Sequence, residues 1–241
     1  AATVGINMVA NFIPPAYDIS SKVVVHRLRQ NGSTDATNTV TSDITTRPHD
    51  IRFNDDGTRM YLPMLNKSIK TFSLSTAYDL STASIITDDT ITPSESSTNQ
   101  PSIEFNSTGT KVFIEDGDEI DEYDVATAFD LSSTLTYVDN LSFDFPLTSM
   151  AFNNDGTVLF LLTQQNTSDS DDANVYEYNL TTGFDLSTAT YVEKFNVENE
   201  EYRPQGIAFN SDGDKLFITG TGNSDDEVNT YTLSPKYNLG N

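Results

Sequence analysis

Residues 207–219 read IAFNSDGDKLFIT, which is an apolar segment, the phrase Phe-Asn-x-Asp-Gly and a second apolar segment. Three other stretches repeat this pattern: IRFNDDGTRMYL from Ile51, IEFNSTGTKVFI from Ile103 and MAFNNDGTVLFL from Met150. Successive copies are 52, 47 and 57 residues apart when measured between their Phe residues, Phe53, Phe105, Phe152 and Phe209. Internal periods of this length are typical of solenoids and propellers. The sequence therefore predicts a repeat architecture.

A second phrase recurs between these copies. It reads YDIS at 17–20, YDLST at 78–82, FDLSS at 129–133, FDLST at 184–188 and YNLG at 237–240. Asn or Asp followed by Gly suits a tight hairpin, because Gly accepts a positive φ and the Asx side chain bonds its own turn. Residues between the phrases alternate or form short β-branched runs, and no stretch keeps a 3.6-residue period. Four short strands in each period are expected of a propeller blade.

We name the strands of one blade A to D in chain order. Strand A ends at Phe-Asn, B follows the Gly, C alternates like VYEY, and D follows Asp-Leu-Ser. In an up-and-down blade the A–B and C–D turns share one face of the disc, and the B–C and D–A loops share the other. Both repeated phrases are therefore predicted on one face, where we interpret their regularity as turn chemistry rather than as a repeated ligand site.

The strand pattern predicts an all-β protein, a β-propeller of four-stranded antiparallel blades. Residues 48–194 hold three blades, and residues 207–233 supply strands A to C of a fourth. Residues 22–28, which follow YDIS, would complete the fourth blade, so that the termini close a four-bladed ring without open edges. Five blades, or a part of a larger propeller, are the alternatives. Residues 17–241 would form the propeller and residues 1–16 an N-terminal arm containing the apolar strand 5–13.

The Phe-Asn-x-Asp-Gly-Thr-Lys-Leu-Phe phrase resembles the repeats of TolB-type, lactonase-like and YncE-like β-propellers. Its pairing with Tyr/Phe-Asp-Leu-Ser-Thr-Ala resembles tandem repeats in surface proteins of marine bacteria and their phages. The resemblance covers residues 17–239 and implies the propeller fold. It carries over no catalytic residue, because the matched positions are scaffold positions and propellers serve many functions.

The composition narrows the classes of partner. The chain has 36 acidic and 13 basic residues, a formal net charge of −23, and no Cys. Nucleic acid and anionic lipid both require clustered Lys or Arg, so neither is expected as a partner. No apolar run approaches the roughly 20 residues of a membrane helix, so no membrane insertion is expected. Disulfides and thiolate metal sites are excluded.

The acidic residues concentrate in the predicted B–C loops. These loops are EDGDEIDEYD (115–124), NTSDSDDAN (166–174) and NSDDEVN (223–229). Carboxylates with Asn and carbonyl oxygens suit Ca²⁺, although neither DGDEID nor DSDD completes the spacing of an EF-hand. The loops are interpreted either as solvated charge without a cofactor or as a Ca²⁺ site, whose candidate ligands are Asp116, Asp118, Glu119, Asp121, Asp169, Asp171, Asp172, Asp225, Asp226 and Glu227.

Catalytic machinery is poorly represented. The chain has two His, His26 and His49, and lacks Cys and a Gly-x-Ser-x-Gly elbow. We therefore expect a non-enzymatic structural or binding module of a cell or virion surface, located outside the cell. Its partners would be other protein subunits, a receptor or a glycan, with homo-oligomer contacts through residues 5–13. The alternative is a secreted hydrolase or lyase that uses carboxylates, with or without Ca²⁺, in a propeller active site.

Overall fold

A computed structural model describes residues 28–29, 39–40, 48–64, 68–86, 102–115, 117–164, 173–222 and 228–240. It is almost entirely β-structure, and its sheets form the four blades of a β-propeller, which confirms the predicted fold class. The helical content of this described part is limited to two 3-10 turns, Leu80–Thr82 and Leu186–Thr188. No helix within the described ranges is long and apolar enough to cross a membrane.

The strands follow the predicted A-to-D order. A short parallel pair, β1 (Leu28–Arg29) with β2 (Thr39–Val40), precedes the blades. Blade 1 contains β3 (Arg52–Phe53), β4 (Arg59–Pro63), β5 (Ile69–Leu74) and β6 (Ala83–Ile85). Blade 2 contains β7 (Ile103–Phe105), β8 (Lys111–Glu115), β9 (Glu119–Val125) and β10 (Leu135–Ser142). Blade 3 contains β11 (Leu147–Phe152), β12 (Val158–Thr163), β13 (Asn174–Leu180) and β14 (Ala189–Asn196). Blade 4 contains β15 (Pro204–Phe209), β16 (Lys215–Gly220) and β17 (Val228–Thr232).

In every blade the A–B turn and the second phrase are in direct contact, through a hydrogen bond and an aromatic ring. The glycine of the A–B turn has a φ of +68° to +73°, a left-handed conformation that glycine adopts without steric cost. Its carbonyl accepts a hydrogen bond from the aromatic residue that opens the second phrase, at 2.9 Å for Gly109 and Phe129. The aromatic ring then covers the glycine, since a Cβ on Gly109 would lie 2.2 Å from Phe129 Cδ2. The predicted sharing of one face by both turns is therefore correct.

Carboxylates in these phrases bond their own turns. Asp155 Oδ1 accepts the backbone N–H of Thr157 at 3.1 Å, and hydrogen bonds from this threonine hold the pKa of Asp155 below its ordinary value. In the second phrase, Asp130 Oδ1 accepts the N–H of Ser132 at 3.1 Å. Asp56, Asp79 and Asp185 make the equivalent bonds. The interpretation of the repeated acids as turn residues agrees with these contacts.

Neighbouring blades contact each other through a series of aromatic side chains. The strand-A Phe of each following blade packs at a tilt against a strand-B ring of the preceding blade, with centroids 4.4–4.8 Å apart in the pairs Tyr61–Phe105, Phe113–Phe152 and Phe160–Phe209. The same Phe also contacts the aromatic residue of its own second phrase, 5.1–5.4 Å away in each blade. Apolar side chains from both blades complete each junction. Burial of these rings holds the blades together.

Polar contacts anchor the second phrase to the preceding blade. Glu122 of blade 2 accepts the N–H of Leu186 in blade 3 at 2.9 Å, and Glu177 of blade 3 accepts the N–H of Leu239 in blade 4 at 2.8 Å. Blade 1 carries Thr71 at this position, and the Tyr61 hydroxyl donates to the carbonyl of Phe129 instead. In each junction a side chain of one blade is thus hydrogen-bonded to the backbone of the second phrase in the next blade.

Closure by the termini stays a prediction. Within the described residues blade 4 has three strands, and the segment expected to complete it, 22–28, lies outside these residues except for Leu28. Leu28 pairs with Thr39 in the parallel pair. The division at residue 16, the arm and its apolar strand 5–13 also lie outside the described residues.

Substituting the turn glycine tests the contact between the A–B turn and the second phrase. Gly109→Ala should lower the free energy of unfolding by about 1–3 kcal/mol, because the new methyl group meets the Phe129 ring at a strained φ. Ser107→Ala, in the same turn and exposed, is the matched control and should change stability little. Urea denaturation measures both. An unchanged midpoint for Gly109→Ala would contradict this account of the turn.

Candidate functional site

The inner strands bring charged residues together at the first junction. The position before the strand-A Phe is Arg52 in blade 1 and Glu104 in blade 2, whereas blades 3 and 4 have alanine there. Arg52 Nη2 lies 2.9 Å from Glu104 Oε1, and Arg52 Nη1 lies 2.8 Å from Asp50 Oδ1. Because strand A is the innermost strand, these three residues form a charged cluster near the axis, which we call the axial cluster.

The electrostatics of the axial cluster are those of a partly buried ion triad. The Arg52 and Asp50 side chains are both 14% exposed, and that of Glu104 is 22% exposed. Burial opposes the charged guanidinium, but Asp50 and Glu104 outweigh it and raise the pKa of Arg52 above its ordinary value. Burial also raises the pKa of Glu104, and Arg52 only partly offsets that shift. The triad carries two carboxylates and one cation, a formal excess of one negative charge.

Several buried polar atoms at the start of the inner strands have hydrogen-bonding capacity left over. Asp50 Oδ2 and His49 Nδ1 precede β3, and Ser102 Oγ precedes β7; none of the three has a partner among the described residues. Asp50 and Ser102 stand at equivalent positions, each two residues before a member of the Arg52–Glu104 pair. Buried polar groups normally bond to protein or water. This arrangement can therefore bind water or a small polar ligand near the axis.

Two further carboxylates, both fully buried, fasten loops on the face opposite the repeated turns. Glu115, at the end of β8, accepts the N–H groups of Ser102 at 3.1 Å and Gly117 at 2.8 Å. Glu201 precedes β15 and accepts those of Arg203 at 2.9 Å and Gly222 at 2.6 Å. In both blades a carboxylate joins the B–C loop to the D–A loop. These acids have a structural role.

Three of the ten sequence-predicted metal ligands lie in the described residues. The loop bounds predicted at 115–124 are wrong, because β8 ends at Glu115 and β9 begins at Glu119, so that Glu119 and Asp121 are strand residues. Asp118 is exposed; Glu119 accepts a hydrogen bond from Asn140 at 3.0 Å; Asp121 is buried and accepts the Tyr123 hydroxyl at 3.1 Å. Burial, followed by the nearby Asp121, raises the pKa of Tyr123 above its ordinary value. The others, Asp116, Asp169, Asp171, Asp172, Asp225, Asp226 and Glu227, lie outside these residues. In the described part, no three acidic or His side chains gather as a metal site.

The outer strands of blades 2 and 3 expose the same dipeptide. Tyr137 and Val138 of β10 are 53% and 43% exposed, and Tyr191 and Val192 of β14 are 50% and 40% exposed. The pairing register shifts at both places, as at a β-bulge. Each tyrosine packs edge-on against a strand-C tyrosine of its own blade, with centroids 5.7 Å apart. We call these four residues the rim patch.

Comparisons with known proteins give the fold. No protein-family model and no curated protein sequence matches the chain. One similar solved structure is a functionally unknown protein from Desulfotomaculum acetoxidans, with 18% identity, a TM-score of 0.51, and coverage of 78% of this chain and 56% of that chain. Another is a candidate 6-phosphogluconolactonase from Bacteroides uniformis, with 12% identity, a TM-score of 0.52, and coverage of 74% and 50%.

Such a likeness shows the β-propeller fold alone. The chain spans about half the length of the solved structures it matches. The neighbours support the lactonase-like part of the resemblance at the level of architecture, because they are β-propeller proteins. They assign no residue of the axial cluster or the rim patch.

Sequence reasoning missed both features, although each left a signal. The signal for the axial cluster is the residue before the strand-A Phe, which is charged in IRFN and IEFN and is alanine in the other two copies. The rim patch follows from TYVD and TYVE, two matching segments after the second phrase. Both signals are differences or likenesses between repeats and do not form a motif of catalysis or metal binding.

Removal of the axial cation tests the electrostatics. Arg52→Met leaves Asp50 and Glu104 without their counter-ion, so the free energy of unfolding at neutral pH should fall by about 3 kcal/mol. Without Arg52 the pKa of Glu104 rises further, and the native state then binds more protons than the unfolded state. The stability of the variant therefore falls as the pH rises through that pKa, and its deficit relative to the parent is smallest near pH 4.

Urea denaturation at several pH values measures the effect, with Lys194→Met on the exposed outer strand as the control. Equal stability of Arg52→Met and the parent protein at neutral pH would show that the triad is not a coupled unit.

Proposed function

We propose that this protein is a non-enzymatic binding and assembly module of a cell or virion surface, built on a propeller scaffold and located outside the cell. The rim patch carries the proposal. Isolated exposed apolar residues are ordinary, but here two adjacent blades repeat the same exposed Tyr-Val pair at the same register. Tyrosine is enriched at protein interfaces, because it combines a large apolar ring with a hydroxyl and orders few torsions.

The surroundings of the rim patch favour a partner with hydrogen-bond donors. Asp139 and Glu193 follow the two Tyr-Val pairs, and Glu119 lies on the neighbouring strand of blade 2, bonded to Asn140. The partner would be a receptor protein or a glycan that places apolar surface on the tyrosine rings and donors on the carboxylates. The chain's net charge of −23 favours solubility and repels nucleic acid and anionic lipid, which supports a protein or glycan as the partner.

Many of the described acids bond to neighbouring backbone, which supports a binding role over catalysis. The acids of the repeated phrases bond their turns, and Glu115, Glu122 and Glu177 accept backbone N–H groups. The axial cluster offers the best site for the second candidate, a carboxylate-dependent hydrolase, because Asp50 Oδ2 is buried without a partner among the described residues. A phosphorylated sugar lactone fits it poorly, since its one cation is already neutralised by two carboxylates.

Paired substitutions at the rim test the binding function. The double variant Tyr137→Ser/Tyr191→Ser should lose binding on an array of immobilised glycans and receptor ectodomains, with at least about a tenfold fall in affinity. Ser107→Ala, in an exposed turn of blade 2, is the control and should bind like the parent. Circular dichroism checks that all variants fold.

The same proteins separate the two candidate functions. Hydrolysis of a gluconolactone that is lost in Asp50→Asn, together with no binding on the array, would replace the binding function by the enzymatic one. Binding that survives both rim substitutions would show that the rim patch is not the contact surface.

We also propose Ca²⁺ binding by the acidic residues in and beside the B–C loops, supported by the charge density of 115–124, 166–174 and 223–229. A ligand that binds only the native state stabilises it, by about 2.7 kcal/mol at a hundred times Kd. Millimolar Ca²⁺ should therefore raise the melting temperature and a chelator reverse the rise, while Asp118→Asn/Glu119→Gln reduces it. Identical melting with Ca²⁺, Mg²⁺ and chelator would assign the loops to solvated charge.

A further inference from the structure

The outward face of blade 4 carries the residue types that the other blades bury at their junctions. This face consists of Phe217 on β16 with Val228 and Thr230 on β17, and Phe217 pairs with Thr230 in the ladder. Ladder position aligns Phe217 with Tyr61, Phe113 and Phe160, and aligns Val228 with Ile69, Ile120 and Val175. Every blade therefore has an aromatic ring on strand B beside a β-branched residue on strand C.

Exposure distinguishes the fourth face from the other three. Tyr61, Phe113 and Phe160 are all fully buried, as are Ile69, Ile120 and Val175. In contrast Phe217 is partly exposed, Val228 is 37% exposed, and Thr230 is exposed although its counterparts Thr71, Glu122 and Glu177 are at most 2% exposed. No described ring packs on Phe217 as Phe105 packs on Tyr61. The face is an uncovered half of a blade junction.

The covered junctions show what such a face binds. In each, the strand-A Phe of the following blade packs at a tilt against the strand-B ring, and the Leu of the following Asp-Leu-Ser or Asn-Leu-Gly phrase docks alongside. The matching occupant is thus a blade with an apolar-x-Phe-Asn strand and a second phrase. The requirements shared by the three junctions are an aromatic ring and a leucine; a backbone N–H is bonded only where the preceding blade has Glu122 or Glu177.

Blade 1 supplies the complementary half. It carries Phe53 in IRFN and Leu80 in YDLST. Leu80 is partly exposed, whereas its counterparts Leu131 and Leu186 are 5% and 2% exposed, and Tyr78 is 44% exposed. Its connection is therefore more open to solvent than those of blades 2 and 3.

Charge also matches between the two halves. At the first junction Arg59 lies 3.3 Å from Asp130 in the second phrase of blade 2. Lys215 stands at the position of Arg59 in blade 4, and Asp79 stands at the position of Asp130 in blade 1. An interface between blade 4 and blade 1 would place a cation beside a carboxylate again.

We propose that the outward face of blade 4 binds the first blade of a second copy of this chain, head to tail. The second copy is the occupant because the described residues of one chain carry both complementary halves, with Lys215 on blade 4 and Asp79 on blade 1 at the positions of the Arg59–Asp130 pair. A head-to-tail contact uses two different surfaces and generates a ring or a filament. This inference rests on the proposed role as an assembly module and identifies the surface through which copies assemble.

Self-association tests the proposal directly. Sedimentation of the full chain over a wide concentration range should show reversible assembly beyond the monomer, and Phe217→Ser should weaken it at least about tenfold. Ser107→Ala, in an exposed turn of blade 2 outside both surfaces, is the control and should assemble like the parent. A chain that stays monomeric at all concentrations, or assembly unchanged by Phe217→Ser, overturns the proposal.

The absence of Cys from the chain allows a second test that separates copies from self-closure. Thr230→Cys and Leu80→Cys occupy the positions of Glu122 and Leu186, which are in contact at the second junction. A mixture of the two single variants should form a disulfide-linked dimer under mild oxidation, and Thr230→Cys mixed with Thr127→Cys should not. A double variant that forms only an intramolecular disulfide would show that blade 4 binds its own first blade, and the proposal is then wrong.

The two proposals fail in different experiments. Loss of the blade 4 contact leaves binding on the array intact, so a monomeric protein that still binds through Tyr137 and Tyr191 keeps the proposed function and removes only the assembly surface. Assembly through Phe217 without any array binding keeps the blade 4 interface and removes the rim patch as a receptor site.

Discussion

The blades depend on one contact, the aromatic ring that covers the glycine of the A–B turn. At Gly156 the backbone is left-handed, its carbonyl accepts the N–H of Phe184 at 3.0 Å, and the ring fills the space that a Cβ would need. Phe184 also has a positive φ, of 59°, which is uncommon for a bulky residue. The strain persists because the hydrogen bond and ring packing fix both phrases together. Each blade then presents a pre-formed edge to its neighbour.

The junctions vary in chemistry while keeping this geometry. Glu122 and Glu177 bond the next connection with a carboxylate, and the first junction uses Tyr61 and Arg59 instead. Burying a carboxylate is costly unless it is hydrogen-bonded. Glu122 accepts hydrogen bonds from the backbone N–H of Leu186 and from the ammonium of Lys111. Variation of this kind makes each junction distinct, which favours one order of blades over others with the same apolar surfaces.

The fold followed from the sequence because its determinants are local. The phrases at Phe152 and Phe184 fix two turns through glycine, Asx bonds and ring packing, all within about 30 residues, so a repeat reveals them. The axial cluster was missed because Arg52 and Glu104 meet across 52 residues, and only the curvature of the ring brings them to 2.9 Å. The metal ligands predicted in the loops remain untested, because charge density alone does not determine which oxygens converge.

The turn face and the outer strands of the blades differ in how well they tolerate substitution. On the turn face, Asp155 and Asp185 bond neighbouring backbone N–H groups, so substitution there weakens the blade before it can create a site. The rim is different, because Tyr137 and Tyr191 lie at bulges, half of each side chain is exposed, and each packs edge-on against a tyrosine of its own blade. A residue kept in solvent at a matching position of two blades is not explained by turn chemistry or by core packing. The exposed Tyr-Val pairs therefore lie apart from the turn bonds and the aromatic junctions that build the propeller, so this surface can change with less loss of the scaffold.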